Sequence, residues 1–303
     1  MKLGKSLAAQ GKIVAGRPLD DISVAPEAAW SLRKLSSAYT GPALIANSTS
    51  GYTATVYFDA NGEVSLNSAT NMGSYGYPTL KDWAWNEGDG NLWVSTWYDQ
   101  SGGTARNATQ STAGEMPILT EAGVLIKQGL KFNDDYLKVA GYAFPSSPDA
   151  CSILAVAYTN PIGVYGIISN LDNNEYNDGV ELISVSTDWS WRVKNTDLED
   201  NAINISTKKL QLAIATYDKS VTFQRLQVNG VSTSQSCNED LDYSLTDRFR
   251  IGGRADNAGT DNQLKGHIAE GMLWESALSD ADMNKLQNNI FIYYSIPKGS
   301  VGG

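Results

Sequence analysis

The sequence predicts an all-β protein, built as an antiparallel two-sheet sandwich with a short N-terminal helix and one C-terminal helix. From Ser152 onward, short apolar runs alternate with Asn, Asp and Gly turns, which is typical of many short strands. Charged residues make up 18% of the chain, below the roughly 25% that is usual. Aromatic residues make up 10% and supply strand-forming side chains.

Apolar spacing predicts the helices. Three- and four-residue intervals from Ala28 to Tyr39 predict the N-terminal helix, and Leu80 to Trp85 indicates a second short one. At the other end, Ser279 is a favourable N-cap for a helix that runs to about Tyr294.

The predicted organisation has three parts. Residues 1–28 carry three glycines, two prolines and little periodicity, so we expect an extended anchoring arm. Residues 29–296 are expected to form a single sandwich domain, and residues 297–303 a tail.

Charge and apolar runs exclude several partners. The net charge is −10, and no cluster of Lys and Arg offsets it, so neither nucleic acid nor an anionic membrane is an expected partner. Gln10 and Lys12 interrupt the N-terminal apolar stretch, so we expect no signal peptide. Cys151 and Cys237 are expected to be two buried free thiols, with a disulfide in an oxidising compartment as the alternative.

Two parts of the chain resemble known proteins. WSLRKLSSAYTGPAL (Trp30 to Leu44) and WVSTWYDQSGGTARNATQ (Trp93 to Gln110) resemble the front of the catalytic domain of B-type α-L-arabinofuranosidases. They also resemble segments of phage and bacterial proteins of unassigned role. Phe249 to Tyr294 resembles the closing strands and last helix of concanavalin A-like (laminin G-type) domains. These resemblances imply a concanavalin A-like jelly-roll sandwich.

The arabinofuranosidase resemblance implies positions for two catalytic carboxyl groups, which can be compared with this sequence. In that family, an IGG strand end is followed directly by the acid/base aspartate, but here Ile251-Gly252-Gly253 is followed by Arg254. Arg254 would hold a nearby carboxylate ionised, which is wrong for a general acid. The first carboxylate after it is Asp256, and Glu181 is the nearest candidate for the nucleophile. The sequence therefore predicts that the chain is not an enzyme; if it is one, Asp256 and Glu181 are the catalytic pair.

Four tryptophans are candidates for stacking on sugar rings. Trp83 and Trp85 lie in a loop-rich segment, where an exposed platform is plausible. Trp189 and Trp191 share one strand face, and core packing is the alternative there.

The sequence predicts no cofactor, and Ca²⁺ is the only candidate metal ion. Asp99 in the YDQSG loop and Asp256 are weak ligand candidates, as are the Asn/Asp-rich stretches 171–179 and 256–262. The alternative for Asp99 is that it accepts backbone N–H groups in a tight turn while Trp97 or Tyr98 faces the core. His267, the only histidine, lies in a predicted strand and is expected to be structural.

The function predicted from these features is a non-catalytic accessory protein of a bacteriophage virion, either a capsid decoration, a head fibre or a tail-associated subunit. Such a protein is made in the host cytoplasm and ends in the virion. Its arm would bind other virion subunits in an oligomer or larger assembly, and its sandwich could bind cell-surface glycans. The alternatives are a glycoside hydrolase of the α-L-arabinofuranosidase type and a free carbohydrate-binding lectin.

Overall fold

The computed structural model describes residues 16–86, 88–142, 144, 149–159, 163–170, 179–185, 188–193, 203–204, 209–239, 249–254 and 263–299. Within these ranges the chain forms strands and two α-helices, which we number in chain order. The elements are β1 (Ala28–Ser31), β2 (Leu44–Ser48), β3 (Thr53–Val56), β4 (Ala69–Met72), β5 (Tyr77–Thr79), α1 (Leu80–Asn86), β6 (Leu92–Trp97), β7 (Ala108–Thr109), β8 (Ile118–Glu121), β9 (Val124–Leu125), β10 (Leu130–Asp135), β11 (Leu137–Lys138), β12 (Ala150–Thr159), β13 (Val164–Ser169), β14 (Val180–Val185), β15 (Asp188–Val193), β16 (Ile203–Asn204), β17 (Gln211–Asp218), β18 (Phe223–Val228), β19 (Val231–Gln235), β20 (Arg250–Ile251), β21 (Leu264–Trp274) and α2 (Asp280–Tyr294).

The strands form two antiparallel sheets, which confirms the predicted sandwich. In the helix-side sheet the order is β19-β18-β17-β12-β21, and β21 then pairs with β1 along one part and β10 along another. In the opposite sheet the order is β4-β3-β2-β6-β7-β11-β20-β13-β14-β15-β16. Strand β8 joins the two sheets, because it pairs with both β6 and β10.

One hydrophobic core lies between the sheets. In the opposite sheet it contains a register row of directly paired residues, namely Leu137, Ile251, Ile168, Leu182 and Trp191. Because side chains alternate between the faces of a strand, the residues next to this row point away from the core.

The C-terminal helix covers the outer face of the helix-side sheet. Its side chains Leu286 and Ile290 are fully buried in a second cluster that includes Leu154 and Met272. Ser279 is the N-cap, as predicted, and its hydroxyl accepts the backbone N–H of Asp282 at 3.1 Å. Helix α1 also forms where the sequence predicts it. Within the described ranges, neither helix has the length and apolar character needed to cross a bilayer.

The predicted helix from Ala28 to Tyr39 is wrong. Residues Ala28–Ser31 form strand β1, which pairs with β21. All four of its residues are buried, since Trp30 faces the main core and Ala29 faces the cluster beneath α2. A strand covered on both faces shows no two-residue alternation of apolar and polar residues. The apolar residues of β1, taken together with Leu35 after the strand, therefore gave the three- and four-residue spacing of a helix.

The described part of the predicted arm packs on its own chain. Ser23 donates its backbone N–H to Asp282 at 3.0 Å, and Trp274 donates its indole N–H to the carbonyl of Val24 at 3.0 Å. Asn289 of α2 donates to the carbonyl of Gly16 at 2.6 Å. From Gly16 onward the chain therefore belongs to the sandwich. Residues 1–15 of the predicted anchoring arm, and the last four of the predicted tail, lie outside the described residues.

Candidate functional site

A polar row crosses the outer face of the opposite sheet. We call it the polar belt, and its members are directly paired residues on seven neighbouring strands: Thr96, Thr109, Lys138, Arg250, Ser169, Glu181 and Arg192. Partners in register point to the same face, and the adjacent row lies in the core. Six inter-strand gaps of roughly 4.8 Å make the belt about 29 Å long.

An open cleft of about 520 Å³ lies at one end of the belt. A β-bulge in β6 places Ser95 between the paired residues Val94 and Thr96, so both Ser95 and Thr96 line the cleft. Tyr136 and Lys138 form another side, and Gln110 completes it. Its volume falls within the range of small-molecule sites.

Glu181 lies toward the other end of the belt and is fully buried. Arg254 donates to both of its oxygens, Nε to Oε2 at 2.8 Å and Nη2 to Oε1 at 3.2 Å. Arg192, its partner across the strands, donates Nη1 to Oε1 at 3.1 Å. The two guanidinium groups fix the position of the Glu181 carboxyl group through charge-assisted hydrogen bonds. Arg254 therefore contacts Glu181, the nucleophile candidate, whereas Asp256, the candidate for the acid position, lies outside the described residues.

Gly166 makes the position of Arg254 sterically accessible. A Cβ atom built on Gly166 would lie 2.8 Å from Cγ of Arg254 and 2.5 Å from the carbonyl carbon of Gly253. Any larger residue would displace the arginine from Glu181, so the glycine is required by the close approach of β13 and β20.

A second buried carboxylate provides a structural comparison. Glu270 is fully buried beneath α2 and binds Arg33, whose side chain is 1% exposed. Tyr294 donates its hydroxyl to Glu270 at 2.9 Å, and the guanidinium of Arg33 lies 4.0 Å from the ring centre of Tyr293. The Glu270 site is surrounded by packed side chains beneath α2, whereas Glu181 lies on the outer, polar face of a sheet.

Asp135, at the end of β10, is a third carboxyl of interest. It is 5% exposed, and burial raises its pKa to about 6, with the charges of Asp134 and Glu115 adding to the effect. In the unfolded chain it would titrate near 4. Between about pH 4 and pH 6, Asp135 is therefore protonated in the folded protein and ionised in the unfolded chain.

We expect Asp135 to make the protein less stable as pH rises through that window, because the unfolded state binds fewer protons there. Asp135→Asn keeps the acceptor for the N–H of Asn133 and removes the charge. It should remove the decline and stabilise the protein by about 2–3 kcal/mol at pH 7. Urea unfolding of both proteins at pH 4 and pH 7 measures this, and identical pH dependence in the two would contradict it.

The YDQSG loop is structural. The carboxylate of Asp99 accepts the backbone N–H groups of Ala29 at 2.8 Å, Ser101 at 2.9 Å and Arg106 at 3.0 Å. Trp97 is fully buried in the core. The Asp99 carboxylate therefore fixes the turn and the start of β1, which agrees with the alternative to a Ca²⁺ ligand. In the part of the chain that the structure describes, no group of three or more His, Cys, Asp or Glu side chains could hold a metal ion.

His267 and the cysteines also have structural surroundings. His267 lies in β21 and stacks on Tyr158 with ring centres 5.4 Å apart, and burial lowers its pKa to about 4, so it is neutral at physiological pH. Cys151 and Cys237 are free and buried, as predicted. Burial raises the pKa of both thiols, which makes them poor nucleophiles.

Three of the four candidate tryptophans cannot stack on sugars. Trp83 and Trp189 are fully buried and Trp191 is 1% exposed, all in the main core. The sugar-stacking interpretation is wrong for these three, since their strand or helix faces point into the sandwich. Trp85 is 78% exposed and remains a candidate.

Several predicted residues lie outside the described ranges. These are Asp256, both as acid and as metal ligand, and the Ca²⁺ stretches 256–262 and 171–178. Sequence reasoning missed Arg192 and the belt as a whole. The available signal was the polar position that alternates with Trp189, Trp191 and Val193 along β15, but its pairing with Glu181 depends on strand register.

Comparison with solved structures gives the fold. An α-L-arabinofuranosidase of glycoside hydrolase family 54, soaked with a cyclic sulfate inhibitor, matches 91% of this chain with a TM-score of 0.55 and 15% identity. An arabinofuranosidase complexed with arabinofuranosyl-α-1,2-xylobiose matches 92% with a TM-score of 0.56 and 14% identity. This chain spans 64% of the length of each. No protein-family model and no curated protein matches the sequence.

These matches correct one prediction and leave another unsupported. The prediction that the chain is not an enzyme is contradicted, because these solved structures that share its fold are arabinofuranosidases. The virion role has no support from these arabinofuranosidase matches. The chain has the β-sandwich fold of these α-L-arabinofuranosidases.

Proposed function

We propose that this protein is a glycoside hydrolase that acts on arabinofuranosides at the polar belt. The observation that carries the proposal is Glu181, a buried acidic side chain bound by two arginines on an otherwise polar sheet face. Retaining glycosidases need a carboxylate as nucleophile, paired with a protonated acid. A matching structure of an arabinofuranosidase was obtained with 4-nitrophenyl α-L-arabinofuranoside, which suggests the substrate class.

In the proposed reaction, a carboxylate oxygen of Glu181 attacks the anomeric carbon of the arabinofuranosyl group. The bond from that carbon to the leaving oxygen breaks, and the leaving oxygen takes a proton from Asp256. Water then attacks the glycosyl-enzyme ester, Asp256 takes a proton from the water, and Glu181 is released. Asp256 keeps this role as a prediction from the sequence.

The two arginines determine the expected rate. They orient Glu181, and the two arginines and the glutamate together carry a formal net charge of +1. Positive charge opposes the oxocarbenium-like transition state. Because Glu181 is fully buried, it must also become accessible to the sugar and give up one guanidinium hydrogen bond. We therefore expect slow turnover.

The test compares two substrates in the wild-type protein and in Asp256→Asn. The wild type should release 4-nitrophenol from 4-nitrophenyl α-L-arabinofuranoside and arabinose from arabinofuranosyl xylobiose. Because nitrophenol leaves without protonation, Asp256→Asn should lose far more activity on the second substrate than on the first.

If Asp256→Asn lost the same share of activity on both substrates, Asp256 would not be the general acid. Absence of any hydrolysis by the wild type, measured over days at high enzyme concentration, would refute the proposed function.

A further inference from the structure

The exposed tryptophan on helix α1 is exceptional in this protein. Six of the eight tryptophans are at most 1% exposed, whereas Trp85 is 78% exposed. Trp83 precedes it by two positions, about 200° around the helix, and is fully buried. The helix thus uses Trp83 for the core and directs Trp85 to solvent, so packing does not account for the second tryptophan.

Gly123 lies beside the Trp85 ring and has no side chain to cover it. The Cε3 atom of Trp85 would lie 3.8 Å from a Cβ on Gly123, and Gly123 has a left-handed φ of 76°. The backbone N–H of Gly123 donates to the carbonyl of Gly90 at 2.9 Å, which fixes this turn against the loop after α1. A glycine in the turn therefore leaves open the space along the ring.

Two more exposed aromatic rings lie on segments that are connected to α1 or to the loop after it. Tyr52 and Tyr75 are 46% and 66% exposed, and their ring centres are 6.2 Å apart. Tyr75 lies just before β5, which runs directly into α1. Thr49, three residues before Tyr52, donates its hydroxyl to Asp89 in the loop after α1 at 3.1 Å. We call Trp85, Tyr52 and Tyr75 the aromatic corner.

Charge selects the kind of ligand. In the stretch that carries the corner, residues 49–91, Lys81 is the only basic residue, against the acidic residues Asp59, Glu63, Asp82, Glu87 and Asp89. This charge balance disfavours phosphate-bearing partners and anionic lipids. Hydrogen bonds hold the pKa of the Asp89 carboxyl below its usual range, so it stays an ionised acceptor. Flat aromatic rings beside carboxylate and amide groups suit a neutral ring that has C–H faces and hydroxyl edges.

We propose that the aromatic corner binds a neutral oligosaccharide, with a pyranose ring stacked on Trp85. The corner is carried by the turn before β3, the turn between β4 and β5, and α1, and it does not include the polar belt. It therefore adds a binding function that does not depend on hydrolysis at Glu181.

Isothermal titration with xylohexaose, cellohexaose and mannohexaose tests the proposal. At least one should bind the wild type, and Trp85→Ala should weaken that binding at least tenfold. Trp85→Phe should retain part of it. The matched control is Val221→Ala, which removes a similarly exposed apolar side chain, 65% exposed, from the turn between β17 and β18; it should leave binding unchanged.

Binding of none of the three sugars, or equal binding by wild type and Trp85→Ala, would overturn the proposal. Analytical sedimentation of the same proteins tests whether the corner binds a second copy of this chain instead. Self-association of the wild type that disappears in Trp85→Ala would assign the corner to such a dimer contact. Hydrolysis of 4-nitrophenyl α-L-arabinofuranoside should be the same in Trp85→Ala as in wild type, which keeps a failure here separate from a failure of the proposed function.

Discussion

Glu181→Gln is expected to reduce hydrolysis of arabinofuranosides by roughly 10³-fold or more, because an amide cannot form the glycosyl-enzyme ester. Glutamine has nearly the same size, so the effect should come from the chemistry and not from a cavity. The substitution also leaves Arg254 and Arg192 without a carboxylate partner, so we expect it to lower stability as well. Initial rates must therefore be reported per folded molecule, with folding checked by circular dichroism.

Glu270→Gln is the matched control. Glu270 is as fully buried as Glu181 and is also bound by an arginine, but it lies beneath α2 and outside the polar belt. We expect it to lower the melting temperature by a similar amount and to leave the rate per folded molecule unchanged. If both variants lost activity in parallel, the loss in Glu181→Gln would reflect folding, and the role of Glu181 as nucleophile would be contradicted.

Removing Arg33 should have the largest effect on stability. Arg33→Ala would leave the carboxylate of Glu270 buried, with only the hydroxyls of Tyr294 and Ser31 as donors. Breaking a buried ion pair from one side costs about 3–5 kcal/mol. The variant also loses the contact between the guanidinium and the Tyr293 ring, so α2 should loosen from the sheet.

Urea unfolding followed by circular dichroism gives the size of this loss. An exposed pair serves as control, since Glu121→Gln breaks the Lys131–Glu121 contact, whose side chains are 33% and 47% exposed. We expect a cost below about 1 kcal/mol there. A double variant, Arg33→Met with Glu270→Leu, should recover much of the lost stability. A loss of less than 1 kcal/mol in Arg33→Ala would mean that the pair does not hold α2 in place.

Local signals predicted the fold well where one physical rule acted alone. Ser279 marked the start of α2 because an N-cap hydroxyl satisfies the first free backbone N–H groups. The Asp99 turn was also expected, since a short carboxylate readily accepts nearby backbone N–H groups. Residues 28–39 failed because burial on both faces of β1 erased the alternation that reveals a strand.

The candidate site was predictable only in part. Sequence reasoning identified Glu181 as a candidate and noted that Arg254 carries a permanent charge, which pairs with Glu181 in the structure. It could not place Arg192 or Lys138 in the same row, since that depends on long-range pairing of seven strands. For the same reason Trp189 and Trp191 could not be assigned to the core from their spacing, which is the same for either face.

Proton NMR of the sugar released in the first minutes of reaction tests the central claim most directly. A double displacement through Glu181 predicts that arabinofuranosides of the α configuration yield α-arabinofuranose first, before it equilibrates in solution. Release of the β anomer first would show single displacement by water and contradict a nucleophilic Glu181. A spectrum without any released arabinose would contradict the assignment of the protein as an arabinofuranoside hydrolase.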